Sequence, residues 1–430
     1  MTVPDPVELL RELIRFDTTN PPGDEEACVA HVESRLRSAG IESQRYEKAP
    51  GRPNLVARLR GGDAAPLLLY GHVDVVTTTG QDWTHPPFAG VLEDGWVWGR
   101  GALDMKGGVA MLVTAFVRAH EEGAQLPGDV ILAVLSDEEG GGDAGARFLV
   151  EEHPELFAGV RHALGEFGGA ASRVGGARFY PIQVAEKQIC WLRVRIRGRA
   201  GHAMLPHRDG TMARLGGVLT ALDGARLPHR VTRVVRMWIE SMSEAVPDLK
   251  ALLDPQTSDA AAAAIGGSTG LFFEAALRNT ANATIVRGGE KINVIPAEVE
   301  LEVDARALPG CAPDDLIGEL RTAIGDDVEI EVVRHDPGPP EPDLSLLDTL
   351  AAILRELDPD AIPVPMMQIG VTDARFFSRI GIQTYGFLPL DLPEGFDALS
   401  LVHAADERVP ADSLRFGAEA LFRALGRFGA

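Results

Sequence analysis

Leu67-Leu68-Leu69-Tyr70-Gly71-His72-Val73-Asp74 runs from an unbroken apolar stretch into a histidine and an acid. Apolar residues without polar alternation predict a strand covered on both faces, as in the parallel sheet of an α/β layer. The polar end of such a strand lies where open α/β sheets meet their ligands. Residues two apart on a strand face the same way, so Asp74 can reach the His72 ring. A carboxylate on the second ring nitrogen fixes the tautomer of a metal-binding histidine. So short a pair also recurs by chance in purely structural settings.

Four further segments carry metal-type residues at the end of an apolar run or in a glycine-rich turn. Residues 130–136 predict a buried strand that ends in Asp137-Glu138-Glu139-Gly140-Gly141-Gly142. Acids crowded at a strand end repel one another unless a cation or a raised pKa offsets the cost. Glu166, in Leu164-Gly165-Glu166-Phe167-Gly168-Gly169, follows another apolar run. Asp104 stands in Gly99-Arg100-Gly101-Ala102-Leu103-Asp104-Met105-Lys106-Gly107-Gly108, before a predicted helix, where an acid also suits an N-cap. His403 lies far downstream in Leu401-Val402-His403-Ala404-Ala405-Asp406-Glu407. Taken together, His72, Asp104, Glu139, Glu166 and His403 supply two histidines and three carboxylates. That is enough for two metal ions roughly 3.5–4 Å apart if one carboxylate bridges. Nitrogen and oxygen ligands without thiolate suit zinc, with cobalt or manganese as alternatives.

Outside these segments the pattern is still one of alternation. Helices are predicted at 25–38, 107–120 and 144–151, and strands at 54–59, 67–76, 130–136 and 162–167. Near residue 189 the texture changes. Residues 190–197 alternate apolar and basic side chains, a period-2 pattern suited to an antiparallel sheet with one wet face. A helix at 212–222 and strands at 284–286, 292–295 and 299–305 follow, with an irregular stretch at about 225–280. From Pro313 the α/β alternation returns and closes with a helix at 413–428. The expected architecture is therefore an α/β catalytic domain at 1–188 and 308–430, with a mostly parallel sheet flanked by helices. An inserted α+β domain would occupy 189–307.

The chain has 430 residues, 45% hydrophobic and 24% charged, and a net charge of −22. No basic cluster interrupts the acidity, which excludes a phosphate-backbone footprint and so argues against nucleic acid as partner. No apolar stretch reaches the ~20 residues of a membrane span. Cys28, Cys190 and Cys311 are too few and too far apart for a disulfide framework or a thiolate zinc site. The amphipathic N-terminus lacks the features of a secretory leader, and a cytoplasmic location is expected.

Over nearly its whole length the chain resembles the M20 metallopeptidases, which include aminoacylases, deacetylases, desuccinylases and carboxypeptidases. The family's His-x-Asp is similar to His72 and Asp74, its bridging acid to Asp104, and its Glu-Glu pair to Glu138 and Glu139. Glu166 and His403 match its remaining ligands. The resemblance implies that His72 and Glu166 hold one metal, Glu139 and His403 the other, with Asp104 between them. It implies a cis peptide at Asp104–Met105, and Glu138 as the general base on the water that bridges the metals. In the inserted domain, Gly198-Arg199-Ala200-Gly201-His202 resembles a loop that reaches the partner subunit of a homodimer, where His202 would stabilise the oxyanion. Asn293 and Arg306 also match motifs of that domain, and Arg306 suits capture of the substrate's carboxylate. Gly370 and Thr372 resemble a loop that lines the cleft. The expected substrate is an N-acyl-L-amino acid, with a short peptide second and a catalytically silent metal-binding relative third. Met237, Trp238, Ile239, Leu271, Phe272 and Phe273 read either as core of the inserted domain or as a pocket for a hydrophobic acyl group or side chain.

Overall fold

The computed structural model describes residues 3–206, 208–339 and 341–429. The quoted apolar run forms the strand Ala64–His72, and its side chains divide between two cores. Leu67 and Leu69 join a large cluster on one face of the sheet, while Leu68 and Tyr70 join a smaller one on the other. That division is what a two-residue period requires of a strand covered on both sides.

Ala64–His72 lies parallel to Gly128–Leu135 on one side and to His162–Gly165 on the other. Gln383–Gly386 extends the parallel ladder, and Ala177–Glu186 pairs in parallel with Ile362–Gln368. Antiparallel pairing is found towards one edge, where Ser43–Glu47 meets Pro53–Leu59 and the latter meets Gly128–Leu135. The whole is a nine-stranded sheet. Helices Pro6–Ile14, Lys106–Glu121 and Ala411–Leu425 contribute to the large cluster, and Ala146–Glu152 covers the smaller one. Gly107, in the first turn of Lys106–Glu121, sits so close to the preceding loop that a Cβ there would meet the Ala102 carbonyl oxygen at 2.2 Å. Only glycine permits that approach.

A separate four-stranded antiparallel sheet runs in the order Thr280–Arg287, Glu298–Ala307, Gln188–Arg197, Glu329–Asp336. The period-2 reading of 190–197 holds. Cys190, Leu192, Val194 and Ile196 are buried, and Arg193, Arg195 and Arg197 pair with Glu300, Glu331 and Glu298 on the other face. Helices Thr211–Asp223 and Pro313–Ile324 cover the apolar side. The fourth strand, Glu329–Asp336, lies beyond the 307 limit expected for the inserted domain.

The stretch at 225–280 corrects the sequence reading, because it holds helices Arg233–Ser243, Ser258–Ile265 and Gly267–Ala276. Val234, Val235, Trp238, Ile239 and Met242 form a helical stripe, a periodicity of about 3.6 residues that is present in the sequence. This stripe packs into the large cluster of the central sheet, separate from the core beneath the antiparallel sheet. Among the described residues no helix is long and apolar enough to cross a membrane.

Candidate metal centre

The carboxyl ends of the parallel strands stand side by side, with His72 opposite Leu135 in register. The loops that follow therefore converge, and they carry the acids. Two imidazoles face one carboxylate. His72 Nε2 lies 3.3 Å from Asp104 Oδ1, and His403 Nε2 lies 3.2 Å from Asp104 Oδ2. Glu166 Oε1 stands 3.6 Å from His72 Nε2, and Glu139 Oε1 stands 3.3 Å from His403 Nε2. The ligand-type atoms of His72, Asp104 and Glu139 lie within 4.8 Å of one another, as do those of His72, Glu138 and Glu166. The peptide Asp104–Met105 is cis.

Asp74 holds this arrangement from beneath. It is fully buried and accepts the main-chain N–H of Glu138 at 3.1 Å and of Glu139 at 3.0 Å. Asn20 Nδ2 donates to it at 2.8 Å. Its Oδ1 is 3.5 Å from His72 Nδ1, whose nearer partner is the Asp74 carbonyl oxygen at 3.0 Å. Asp137, Phe167 and His403 have positive φ, a costly conformation for such residues and one that clusters at functional sites.

Charge in the cluster is poorly balanced without a cation. Burial and the neighbouring Asp104 push Glu139 up to about 7, and burial with the nearby Glu138 raises Glu166 well above the carboxylate range. Burial raises Glu138 as well. Against its own burial, Asp104 is held well below the usual range by His403 and His72. Asp104 and Glu139 in turn push His403 up to about 10. Among the described residues, buried His72 Nε2, Glu139 Oε1 and Glu166 Oε2 find no hydrogen-bond partner. Buried polar atoms are nearly always satisfied, so orphaned lone pairs converging on one space fit a metal ion.

Sequence reasoning missed several supporting residues. Glu407, fully buried, accepts Arg100 at 2.6 Å and the main-chain N–H groups of Gly101, Leu103 and Asp104 at 3.1, 2.7 and 3.0 Å. Arg100 also donates to the His403 carbonyl oxygen at 3.2 Å. This pair ties the Asp104 loop to the His403 loop. Buried Arg375 lies 3.4 Å from Glu138 Oε1 and donates to the carbonyl oxygens of Thr372 and Gly141. For Arg375 the available signal was a charge next to Ala374, Phe376 and Phe377; Glu407, between Asp406 and Arg408, carried none.

The remaining expected residues lie elsewhere. His202 is exposed on a short strand, Gly201–His202, paired with Val294–Ile295, and Asn293 accepts the Ala203 N–H beside it. Both nitrogens of the Arg306 fork are taken by Asp304, at 2.7 and 3.0 Å. Thr372 donates its N–H and hydroxyl to buried Glu186, which burial pushes up to about 7, and Gly370 is half-buried nearby. Among the described residues no hydrogen bond or ion pair joins His202, Asn293 or Arg306 to the metal-type cluster.

Residues 68–427 match peptidase family M20/M25/M40. The chain is 29% identical to a succinyl-diaminopimelate desuccinylase of Paracoccus denitrificans, over 99% of both chains. It is 27% identical to human Aminoacylase-1, covering 94% of this chain and 90% of that one. Its fold is similar to an M20 family metallo-carboxypeptidase from Sulfolobus solfataricus, with a TM-score of 0.73 at 16% identity over 99% of each chain. Human carnosine dipeptidase 1 gives 0.68 at 17% identity, over 98% and 95%. The chain is a metallohydrolase of peptidase family M20/M25/M40.

Proposed function

We propose that the chain hydrolyses the amide bond of an N-acyl-L-amino acid, with two zinc ions held by the converging loops. The observation that carries this reading is Asp104, whose two oxygens each face a different histidine. His72 and Glu166 would hold one ion and Glu139 and His403 the other, with Asp104 shared. When bound, the ions supply Lewis acidity that polarises the scissile carbonyl and acidifies water at the site.

The rest falls to side chains of the protein. Glu138, buried beside the cluster and raised by that burial, takes a proton from the attacking water and gives it to the departing amine. Asp74 fixes the backbone of Glu138 and Glu139, which keeps the base and its neighbouring ligand in register. His202 is exposed and, among the described residues, makes no hydrogen bond or ion pair to the cluster of its own chain, which supports delivery to a partner's site, where it would donate to the oxyanion. The edge strand Thr280–Arg287 is exposed along most of its length, with Ile285 and Val286 uncovered, and this supports pairing with a second copy. Arg306 would exchange Asp304 for the substrate carboxylate, with Asn293, Gly370 and Thr372 lining the cleft. Three unpaired cysteines suit a reducing, cytoplasmic compartment.

Hydrolysis of N-acetyl, N-succinyl and longer N-acyl amino acids beside dipeptides tests this reading. Zinc-dependent release of free amino acid from the N-acyl compounds supports it. Cleavage of dipeptides alone would move the chain to the peptidases, and zinc binding without turnover would make it a silent relative.

A further inference from the structure

The helices at 233–276 leave a cavity of about 410 Å³ between themselves and the central sheet. Asp104 and Glu166 are part of its lining, so it opens on the metal-type cluster. Most of its wall is apolar, including Trp238, Met242, Phe272, Leu390, Leu392 and Phe396, with Arg173, Ser268, Thr269 and Asp397 also lining it. This is the size of a site for an extended small molecule, well beyond what an acetyl group fills.

We propose that the cavity receives the acyl half of the substrate as an extended hydrocarbon chain, so that the enzyme favours medium- and long-chain N-acyl amino acids. The inference rests on the amide-hydrolase reading above. Charge decides which half of the substrate enters. The amino-acid half carries a carboxylate one carbon from the scissile nitrogen, and that group needs a cation close by. Among the lining residues the one cation is Arg173, and it is exposed. The acyl half carries no net charge, its one polar group is the carbonyl at the reacting end, and its hydrocarbon matches the apolar wall. In the reaction the carbonyl carbon gains the water oxygen, its bond to nitrogen breaks, and a water proton passes to the amine. A fatty acid leaves by way of the cavity, and a free amino acid leaves from the other side.

Two experiments test the proposal. The first follows kcat/KM of zinc-loaded enzyme for N-acyl-L-leucines from acetyl to hexadecanoyl. The expected result is a rise of about four-fold per added methylene until the cavity is full. Ala171 also lines the cavity, and filling it with Ala171→Phe should cut the ratio of dodecanoyl to acetyl kcat/KM by about ten-fold or more. A flat or falling series with acetyl cleaved best overturns the cavity proposal and leaves the amide-hydrolase reading standing. Loss of turnover on every acyl length overturns that reading instead. The second experiment is then decisive for the cavity. Metal-free protein is titrated with N-dodecanoyl-L-leucine while tryptophan emission is recorded. A saturable change that N-acetyl-L-leucine does not cause, and that Trp238→Phe abolishes, is expected. The same response to both ligands, or none to either, overturns the proposal.

Discussion

Arg375 lies against Glu138, with a guanidinium nitrogen 3.4 Å from Oε1. The same guanidinium donates to the Thr372 and Gly141 carbonyl oxygens at 2.9 and 3.0 Å, so its position is fixed by the main chain of two loops. Burial raises Glu138, while His72 and Arg375 draw it back down. Glu138, the proposed base, is thus set between a dry environment and a fixed cation.

Arg375→Ala should lower kcat by about ten-fold or more and shift the acid limb of the pH–rate profile upwards, since Glu138 then meets burial with less opposing charge. Arg375→Lys should recover part of the rate. An unchanged acid limb in the alanine variant would separate Arg375 from the base.

Glu138→Gln keeps the shape and the Asp74 contacts to the backbone but removes the proton acceptor. Turnover should fall by about 10²–10⁴-fold, with metal content equal to wild type by elemental analysis. Near-normal rates would rule Glu138 out as the base.

Glu407→Ala leaves Arg100 buried without its carboxylate and frees three main-chain N–H groups in the Asp104 loop. Denaturant unfolding of the metal-free protein should show a loss of about 3–5 kcal/mol. Metal affinity should also drop about 10–100-fold, because the two loops lose their tie. A variant as stable as wild type would contradict this clamp.

Buried Lys187 tests the junction of the two sheets. Burial, with Arg306 and Arg278 nearby, brings its ammonium down to about 7. The unfolded chain holds this proton up to the ordinary lysine range, so between about 7 and 10 the unfolded state binds more protons and stability rises with pH. Lys187→Met should stabilise the protein by about 2 kcal/mol at pH 6, and the gain should shrink as pH approaches 10. A gain that does not vary with pH would show that Lys187 is not buried as an ammonium.

The reach of the sequence follows from what each pattern encodes. Leu67 to Tyr70 announced a doubly covered strand because period and burial coincide, and the acids after each such strand located the cluster. The helix that carries the Trp238 stripe spans only 11 residues and lies between Pro228 and Pro247, too short a run to stand out in an otherwise irregular stretch. Glu407 and Arg375 act on loops distant in the chain, and only folding brings Arg100 to Glu407 or Glu138 to Arg375. Arg306 illustrates the opposite limit. Its residue type suits a carboxylate, but its fork is held by Asp304, a neighbour two positions away.

On the proposed reading, Asp104 is shared by two metal ions that act in amide hydrolysis. Chelated protein titrated with zinc, with bound metal and N-acyl amino acid hydrolysis recorded together, tests it most directly. Activity should rise with bound zinc and level off at about two ions per chain. Full turnover in the chelated protein, or about two ions bound with no amide hydrolysed, would contradict it.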